Sequence, residues 1–515
     1  MNQQSIDIIL VNPPTRIQSR NIPFSILSLA AYLDDNSKKS KILDIKYPDV
    51  SKLNPKEIED LMVNQLFSAC VPVIGFTCLT AEFDCVYGMA KRLRGKGYKG
   101  ILIAGGHHPT FCPNDFLEEE VFDYVVLGEG EVTLNELLSA IENKTKIEEV
   151  DGLAFNKNGI LYKTKPRLLL ENLSFLSQPL YRFMDLNYYL EPRTDLIRHL
   201  LISGIGVQTT RGCPFNCTFC GNNSLWGANR YINRIRSRPA KDVINEIVYL
   251  KNNFGIDGFG LEDDMFTLND QKVSEFCDLL KKENLGLVWG CQSHVNTFTE
   301  FMAKKMRDAG CIQVEFGVES GSPRVLKEMK KGSSIEQIKS AFKICRKYGL
   351  RTLANFLINT PTEDEQDLKA TFSLADEIKA TKYAFGVTLP LLGTELYDKY
   401  VYPRLKKNEY KLDGERRAYQ EIIDPRFRLA KHKKNMGWLY IKVRLKYMLF
   451  SEYFDSLIWF FRNYKFYKKS DKFKRYRYHL FAVLFTKSFG LFHRVIERIS
   501  LKLTLVKEGH KKCKQ

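Results

Sequence analysis

The chain has 515 residues, 44% of them hydrophobic, and a formal net charge of +18. This length and apolar content exclude a disordered protein and suffice for two or three packed domains. Its twelve cysteines, scattered except for one tight group, exclude a disulfide-stapled scaffold and fit a reducing compartment.

The first 150 residues alternate between short β-rich runs and amphipathic helical patterns. The first run contains Asp7 and follows no basic leader, so we expect no signal peptide and residence in the cytoplasm. The patterns predict strands at 6–11, 41–45, 71–76, 100–104 and 124–127, and helices at 24–33, 58–70, 81–93 and 133–141. This alternation predicts an α/β fold that opens with a Rossmann-like, doubly wound parallel sheet over 1–150.

Small and polar residues follow several of these strands, at the carboxyl edge where open α/β sheets bind ligands. These strand-end residues are Asn12, Pro13, Thr77, Leu79, Thr80, Gly105, Gly106, His107, Gly128, Glu129, Gly130 and Glu131. We therefore expect a ligand site along this edge.

Residues 151–203 lose the alternation and are predicted as a linker with a small hairpin near 156–159. A second alternating series spans 204–400. Its predicted strands are 206–210, 258–261, 288–291, 312–317, 352–358 and 384–389, with helices at 240–253, 271–283, 299–309, 335–348 and 363–378. Six βα units predict a partial (β/α)6 TIM-type barrel with its chemistry at the carboxyl ends of the strands.

Cys213, Cys217 and Cys220 form the tight cysteine group, directly after the first predicted barrel strand. A structural zinc site needs four protein ligands. No Cys or His occurs between Cys220 and Cys277, so no local fourth ligand is available. Three thiolates leave one iron of a cubane cluster open for a small molecule, and we predict a [4Fe–4S] cluster here.

The spacing C-x3-C-x2-C, with Phe219 before the last cysteine, resembles the signature of radical S-adenosylmethionine (SAM) enzymes. The segments 261–266, 315–322, 356–363 and 389–394 resemble strand ends of that family's barrel. The resemblance implies a cluster that binds SAM, an electron donor such as flavodoxin or ferredoxin, and formation of a 5′-deoxyadenosyl radical. The SAM contacts that it implies are Phe219, Glu262, Asp263, Glu319, Ser320, Ile358 and Glu363.

Three positions in the barrel depart from the family's usual residues. His294 lies where relatives often carry Arg, which makes it a candidate substrate-facing catalytic residue, although a lone His is more often structural. Asn359 and Thr360 replace the usual small glycines of the segment that contacts adenine, so the backbone approach there is open to question.

The N-terminal strand ends resemble those of the cobalamin-binding (B12-binding) domain that precedes many radical SAM barrels. The resemblance implies that the twelve strand-end residues given above contact cobalamin. The D-x-H-x-x-G motif that supplies a lower axial histidine elsewhere is absent, so we expect no such ligand. The alternative is a Rossmann-like domain that serves only as a dock. Cys70, Cys78, Cys85 and Cys112 fit no simple ligand set, and we expect no second cluster.

The function implied is a radical SAM enzyme that uses cobalamin to methylate an unactivated carbon of a small, hydrophobic or lipid-like substrate. A cobalamin-linked cyclase or oxidase is one alternative, and it would begin with the same hydrogen abstraction by the 5′-deoxyadenosyl radical. A radical SAM enzyme without corrinoid is a further alternative. A non-catalytic iron–sulfur RNA-binding protein represents a different class.

The basic charge is concentrated in residues 401–515, which carry 30 basic and 10 acidic side chains, against 48 and 50 in the rest of the chain. Interleaved aromatics predict helices there, for instance with Trp438, Ile441, Leu445 and Met448 on one face. Such a composition fits peripheral binding at the inner face of a membrane, or a lipid-like substrate. A helical cap over the barrel is the alternative, and nucleic acid is the least favoured partner. No apolar stretch is long enough to span a membrane.

Overall fold

The computed structural model describes residues 6–14, 21–45, 54–177, 180–225, 235–405, 428–448, 457–477 and 480. Its first sheet contains β1 (Ile8–Asn12), β2 (Ser40–Asp44), β3 (Val73–Thr77), β4 (Ile101–Gly105), β5 (Tyr124–Val126), β6 (Leu153–Lys157) and β7 (Ile160–Lys163). The strand order is β2-β1-β3-β4-β5-β6-β7. The first five strands are parallel, and the last two pair antiparallel.

Helices cover both faces of this sheet. They are α1 (Phe24–Asp35), α2 (Pro55–Ser68), α3 (Phe83–Gly95), α4 (His107–Phe111), α5 (Asn114–Leu117) and α6 (Glu131–Asn143). Helices α1 and α6 bury their apolar sides in one core, and α2 and α3 bury theirs in another. Because both faces are covered, the central strands β1 and β3 are buried along almost their whole length. The predicted doubly wound domain is confirmed.

The second sheet is the partial barrel. Its strands are β10 (Gly204–Val207), β13 (Gly258–Leu261), β14 (Val288–Ser293), β15 (Cys311–Glu319), β16 (Arg351–Ile358) and β17 (Lys382–Val387). They are parallel and adjacent in that order. The surrounding helices are α8 (Ala240–Phe254), α9 (Asp270–Glu283), α10 (Glu300–Asp308), α11 (Pro323–Glu328), α12 (Ile335–Lys347), α13 (Glu365–Ile378) and α14 (Glu395–Tyr400). The predicted six-stranded barrel is confirmed.

The segment predicted as a linker contains more structure than expected. Strands β6 and β7 extend the first sheet to residue 163, beyond the predicted boundary at 150. A second hairpin, β8 (Arg193–Ile197) with β9 (Leu200–Ile202), packs against the inner side of the barrel. A Cβ on Gly260 would lie 2.8 Å from the carbonyl oxygen of Leu196, so only glycine admits the hairpin there. The sequence analysis did not predict this hairpin, because its apolar residues are buried by barrel strands that are distant in sequence.

Two described stretches of the basic C-terminal region pack on the barrel. Helix α15 (Met436–Val443) and the turn that follows it lie along the edge strand β17, and α16 (Tyr464–Lys469) lies over the β8–β9 hairpin. The Tyr467 hydroxyl donates to the Leu201 carbonyl at 3.0 Å, and the Tyr476 hydroxyl accepts from the Ser203 amide at 2.7 Å. The described part of the tail therefore caps the barrel and covers an edge strand.

The expected apolar face of this tail is wrong in its detail. The side chains buried against the barrel are those of Met436, Leu439, Val443 and Met448. Trp438 and Leu445, predicted on the same face as Met448, are 56% and 58% exposed. Met448 is buried as predicted. The π-helical turn Arg444–Met448 shifts the helical register, so Met448 joins the buried side of α15 although Leu445 does not.

Candidate active site

The cluster loop, residues 212–220, connects β11 (Thr210–Arg211) to α7 (Gly221–Leu225) and carries the three cysteines. Barrel elements fix it at both ends. The Gly212 amide donates to a carboxylate oxygen of Asp264 at 2.7 Å. The Thr218 amide donates to the Met329 carbonyl at 3.0 Å, and the Thr218 carbonyl accepts from the Leu396 amide at 2.9 Å. The loop is therefore held in place by the protein without a metal.

The number of ligands in this loop fits a cubane better than structural zinc. Cys213, Cys217 and Cys220 supply three thiols, and no Cys or His occurs between Cys220 and Cys277. A structural zinc site takes four protein ligands, whereas three thiolates leave one iron of a cubane open for a small molecule.

Cys217 is buried, and Cys213 and Cys220 are half-buried. Burial raises the pKa of Cys217 to about 11, and burial also raises the pKa of Cys213. The Lys331 cation acts in the opposite direction on both thiols. Because the ligands of a cluster are thiolates, iron has to displace protons when it binds here.

Lys331 is the buried cation beside this loop. Its ammonium donates to Glu319 at 2.9 Å, and both side chains are almost fully buried. Burial alone would lower the pKa of Lys331, but Glu319 and the Cys217 sulfur raise it. Glu319 adopts a left-handed φ of 65° at a register shift in β15, which directs its carboxylate toward Lys331. The cysteines therefore share their pocket with one fixed ion pair.

His294 supports the same pocket from the neighbouring strand. Its ring stacks on Phe215 of the cluster loop, with centroids 3.7 Å apart. Nδ1 accepts from the Asn296 amide at 3.3 Å, so Nε2 carries the hydrogen and donates to the Lys331 carbonyl at 3.2 Å. Burial, followed by the Lys331 charge, lowers the pKa of His294 to about 3. The imidazole is thus neutral and held by backbone, which suits positioning of the loop; direct catalysis by His294 stays a prediction.

Apart from Phe219 of the cluster loop, the residues predicted to contact SAM lie at or just after the carboxyl ends of the barrel strands. Several of them form hydrogen bonds within the protein. The Asp263 carboxylate accepts from the amides of Thr209 and Thr210 at 2.5 and 2.9 Å. Burial raises its pKa to about 6. The Ser320 hydroxyl lies 3.1 Å from that of Thr371.

The remaining predicted contacts with SAM fall in three different surroundings. Glu363 pairs with His432 of the C-terminal region at 2.9 Å. Ile358 is fully buried, and Phe219 packs in the small apolar cluster around Leu396. Glu262 differs, because it lines a cavity in the barrel lumen. The SAM contacts stay predictions.

A cavity of about 330 Å³ lies between the first sheet and the barrel. Nine of the twelve residues predicted to contact cobalamin line it: Thr77, Leu79, Gly105, Gly106, His107, Gly128, Glu129, Gly130 and Glu131. Asn12, Pro13 and Thr80 do not line it. From the barrel, Gln208, Arg211, Leu225 and Asp264 complete the wall. The cavity therefore faces the strand ends of one domain and residues that flank or hold the cluster loop of the other.

The floor of this cavity suits a large, partly polar ligand. The Nε2 atom of His107 is buried without a hydrogen-bond partner among the described residues, so a polar ligand group can satisfy it. Gly106 has a φ of 105°, and a Cβ there would lie 3.1 Å from the backbone of Cys78, so the chain has to stay small at this point. A buried donor or acceptor above an apolar, glycine-lined floor fits the expected corrinoid.

Two of the predicted cobalamin contacts also carry a buried ion network between the domains. Arg211 lies 2.9 Å from Glu131 and 3.1 Å from Glu129, and Arg236 donates to Glu129 at 2.7 Å. Ser28 of α1 donates to Glu131 at 2.5 Å and accepts from Arg211 at 2.7 Å. Since Arg211 precedes Gly212 and Cys213, this network ties the cluster loop to the first domain.

The sequence interpretation missed Arg211, Arg236, Asp264 and Lys331. Arg211 stands two residues before the first cluster cysteine, and Asp264 is the third acid of the run that begins at Glu262. Because both residues stand next to motifs of the sequence, they could have been predicted as neighbours of the cluster loop. The glutamate partners of the two arginines lie at least 80 residues away in sequence, so no short-range pattern could have found the network.

Comparison with known proteins agrees with this geometry. The model of the Radical SAM superfamily matches residues 207–375, and the model of the B12 binding domain matches residues 15–138. An uncharacterized methyltransferase of Pyrococcus horikoshii is 31% identical over 403 residues, covering 76% of this chain and 82% of that protein. An anaerobic magnesium-protoporphyrin IX monomethyl ester cyclase of Synechocystis is 27% identical over 427 residues, covering 80% and 78%.

Solved structures share the fold at low sequence identity. The radical SAM methyltransferase TsrM of Kitasatospora setae matches with a TM-score of 0.62 and 18% identity, over 78% of this chain and 75% of that one. The cobalamin-dependent enzyme OxsB matches with a TM-score of 0.57 and 17% identity, over 86% and 61%. The domain matches confirm the enzyme class and the cofactors predicted from the sequence, namely a [4Fe–4S] cluster, SAM and cobalamin. The chain belongs to the radical SAM enzymes that carry an N-terminal B12-binding domain.

Proposed function

We propose that this enzyme methylates an unactivated carbon of a hydrophobic or lipid-like small molecule. The observation that carries the proposal is the interdomain cavity, which has the strand ends of the first sheet on one side and, on the other, Arg211 and Leu225, which lie on either side of the cluster loop in the sequence. The two loops approach closely: a Cβ on Gly221, next to Cys220, would lie 3.1 Å from the His107 Nε2 atom. Two cofactors bound to these loops would face a common substrate.

Each part of the protein has a physical task in this reaction. When bound, the cluster with SAM supplies hydrogen-atom abstraction and cobalamin supplies a methyl group. Arg211 and Asp264 fix the cluster loop against the first domain and the barrel. The β8–β9 hairpin closes the far end of the lumen, and the C-terminal cap covers the hairpin, which shields a reactive carbon from water.

Methylation is supported over ring formation by names among the relatives. The Pyrococcus horikoshii relative is named a methyltransferase, as is a Streptomyces wedmorensis protein that is 24% identical over 436 residues, named cytidylyl-2-hydroxyethylphosphonate methyltransferase. The cyclase relatives keep ring-forming oxidation as the alternative outcome.

The experiment is a product search with labelled SAM. Holoenzyme reconstituted under anaerobic conditions is incubated with S-adenosyl-[methyl-¹³C]methionine, a low-potential reductant such as reduced flavodoxin, and either a lipid extract or a water-soluble extract. We expect ¹³C-methyl products from the lipid extract. ¹³C-methyl products confined to the water-soluble extract would refute the lipid-like substrate. An unlabelled product that is two hydrogens lighter than its substrate would favour the cyclase alternative.

Peripheral membrane binding is a second proposal for the C-terminal region. Trp438, Leu445, Ile458 and Phe461 are each more than 40% exposed on the described part of the cap, among many lysines and arginines. Exposed apolar groups with neighbouring cations suit an anionic lipid surface. Among the described residues, no helix is long and apolar enough to cross a membrane.

A flotation assay tests this second proposal. We expect the full-length protein to float with anionic liposomes more than with neutral ones, and Phe461→Ser with Trp438→Ser to reduce flotation. A parallel RNA gel shift is needed because nucleic-acid binding is also sensitive to salt. Binding to RNA without flotation would refute membrane association, and binding to neither would leave the region as a structural cap.

A further inference from the structure

A histidine, a cysteine and an aspartate lie together just after the fourth strand of the first sheet. His108 lies in α4, Cys112 directly follows this helix, and Asp115 lies in α5. One potential ligand atom of each residue lies within 4.8 Å of those of the other two. In the described part of the chain, no other three histidine, cysteine or acidic side chains come so close together.

The backbone brings these three residues onto one side of the chain. The Cys112 amide donates to the His108 carbonyl at 2.9 Å, so the two residues stand one helical turn apart. The Asp115 amide donates to the Cys112 carbonyl at 3.2 Å and begins the next turn. The hydrogen bonds of α4 and α5 therefore set the positions of the three side chains.

Aromatic rings hold the His108 imidazole in place. It stacks on Phe83 with centroids 4.9 Å apart, and Phe116 meets it edge-on at 5.6 Å. The side chains of His108 and Asp115 are 2% and 0% exposed. Nε2 lies 3.0 Å from an Asp115 carboxylate oxygen, and Nδ1 is buried without a hydrogen-bond partner among the described residues. The imidazole therefore has spare capacity to bind a ligand.

The distances in this group suit a tetrahedral zinc ion. Bonds of about 2.0–2.1 Å to a histidine nitrogen and a carboxylate oxygen place those two atoms roughly 3.4 Å apart. The 3.0 Å between the His108 and Asp115 atoms is close to this value. A thiolate with a Zn–S bond near 2.3 Å would lie roughly 3.6 Å from either atom. A rotation of the half-buried Cys112 side chain can close the difference that remains.

The charge of the group also favours a divalent cation. The Asp115 carboxylate lies at the edge of the apolar core that α2 and α3 share with the first sheet, and a buried carboxylate needs a positive partner. Asp115 and a Cys112 thiolate together carry two negative charges. A divalent ion bound to both, with a neutral imidazole, leaves no net charge in this core.

We propose that His108, Cys112 and Asp115 bind one Zn²⁺ ion, with a water molecule as its fourth ligand. Nitrogen, sulfur and carboxylate oxygen are the ligand atoms that zinc takes in proteins. Cys112 is half-buried, which leaves access for the ion and the water. The site uses one cysteine, so it is not a second iron–sulfur cluster, and it does not depend on the proposed function.

The position of the site indicates a structural task for the ion. His108 follows directly after Gly105, Gly106 and His107, which line the interdomain cavity. A zinc ion would brace α4 against α5 and hold this strand end in place.

The experiment measures zinc in the full-length holoenzyme. Protein loaded with its cluster and cobalamin under anaerobic conditions is equilibrated with ZnCl₂, desalted, and analysed by inductively coupled plasma mass spectrometry. We expect about one zinc beside about four irons per chain, because cluster cysteines that hold iron are not available to zinc. Zinc K-edge absorption spectra should show one sulfur ligand with nitrogen and oxygen ligands. No retained zinc, or zinc with any other number of sulfur ligands, would overturn the proposal.

Variants locate the site. Cys112→Ser and Asp115→Asn should each weaken zinc binding at least about tenfold, measured by competition with a chelating dye, while iron and cobalamin contents persist. Cys70→Ser is the matched control, because Cys70 is an exposed cysteine of the same domain. Equal zinc affinity in the Cys112 and Cys70 variants would refute the proposal. If Asp115→Asn fails to fold, Cys112→Ser decides, because it replaces a half-buried side chain by one of similar size.

Discussion

The ion network between the domains gives the sharpest prediction on stability. Replacing Arg211 by Met removes the cation that lies 2.9 Å from Glu131, while Glu129 keeps its contact with Arg236. Glu131 would then retain the Ser28 hydroxyl as a partner but lose its counter-ion in a site where its side chain is 6% exposed. Removing one partner of a buried pair costs about 3–5 kcal/mol. Because one hydrogen bond to Glu131 survives, we expect a loss of about 3 kcal/mol.

The assay is urea unfolding of the holoenzyme, read as a midpoint because a protein of several domains is not two-state. With a slope of about 3 kcal/mol per molar urea, the first transition should shift by about 1 M. The matched control is Arg182→Met, which breaks a contact with Asp34 that also joins the first domain to the rest of the chain. That pair is 35% and 53% exposed, so its loss should cost less than about 1 kcal/mol. Equal shifts in the two variants would refute the reasoning.

The pH dependence supplies an independent check. Burial alone would raise the pKa of Glu131, but Arg211 and the Ser28 hydroxyl outweigh it, and the folded-state pKa lies below the ordinary value. The stability from this carboxylate is therefore present above about pH 4.3, its unfolded pKa, and is lost as pH falls through the folded-state pKa. We expect Glu131→Gln to differ from wild type at neutral pH and to approach it in acid. A difference that grows on acidification would contradict this assignment.

Three further predictions concern the cluster loop and the cap. Lys331→Met should lower the midpoint potential of the cluster in an EPR-monitored titration, because a buried cation near the sulfurs favours the reduced state. Lys330→Met, which changes an exposed lysine, should leave the potential unchanged. Reconstitution should give more iron and sulfide per chain at pH 8 than at pH 6.5, since the buried thiols must lose protons; equal loading would contradict this. Tyr476→Phe should destabilise the protein by about 1–2 kcal/mol in thermal unfolding, because the buried Ser203 amide and the Asp257 carboxylate each lose a hydrogen-bond partner. An unchanged transition temperature would show that the cap contributes little to stability.

Features with a local signature could be predicted from the sequence. The alternation of strands and helices predicts both sheets, because buried parallel strands must be apolar and their helices amphipathic. The cysteine spacing locates the cluster loop, and the small residues after β3, β4 and β5 locate most of the interdomain cavity.

Features that depend on distant partners could not be predicted. Glu129 and Glu131 read as ligand contacts, but they also form the ion network, because Arg211 and Arg236 approach them only in the folded chain. Glu363 stays a predicted SAM contact, and its pairing with His432 of the C-terminal region could not be predicted from the sequence. The β8–β9 hairpin has no strong hydrophobic pattern of its own. It becomes buried because glycines on the barrel strands leave the space in which it packs. In each case the deciding contact joins residues far apart in sequence.

The most direct test of the central claim is the formation of 5′-deoxyadenosine by holoenzyme reconstituted under anaerobic conditions. Wild-type protein should contain four irons per chain together with cobalamin, as expected of one cubane and one corrinoid. With SAM and a low-potential reductant it should release 5′-deoxyadenosine, detected by mass spectrometry. Cys213→Ala, Cys217→Ala and Cys220→Ala should each abolish the product while cobalamin binding persists. About one zinc and no iron or sulfide in the wild-type protein, or no 5′-deoxyadenosine from a fully loaded enzyme, would contradict the account.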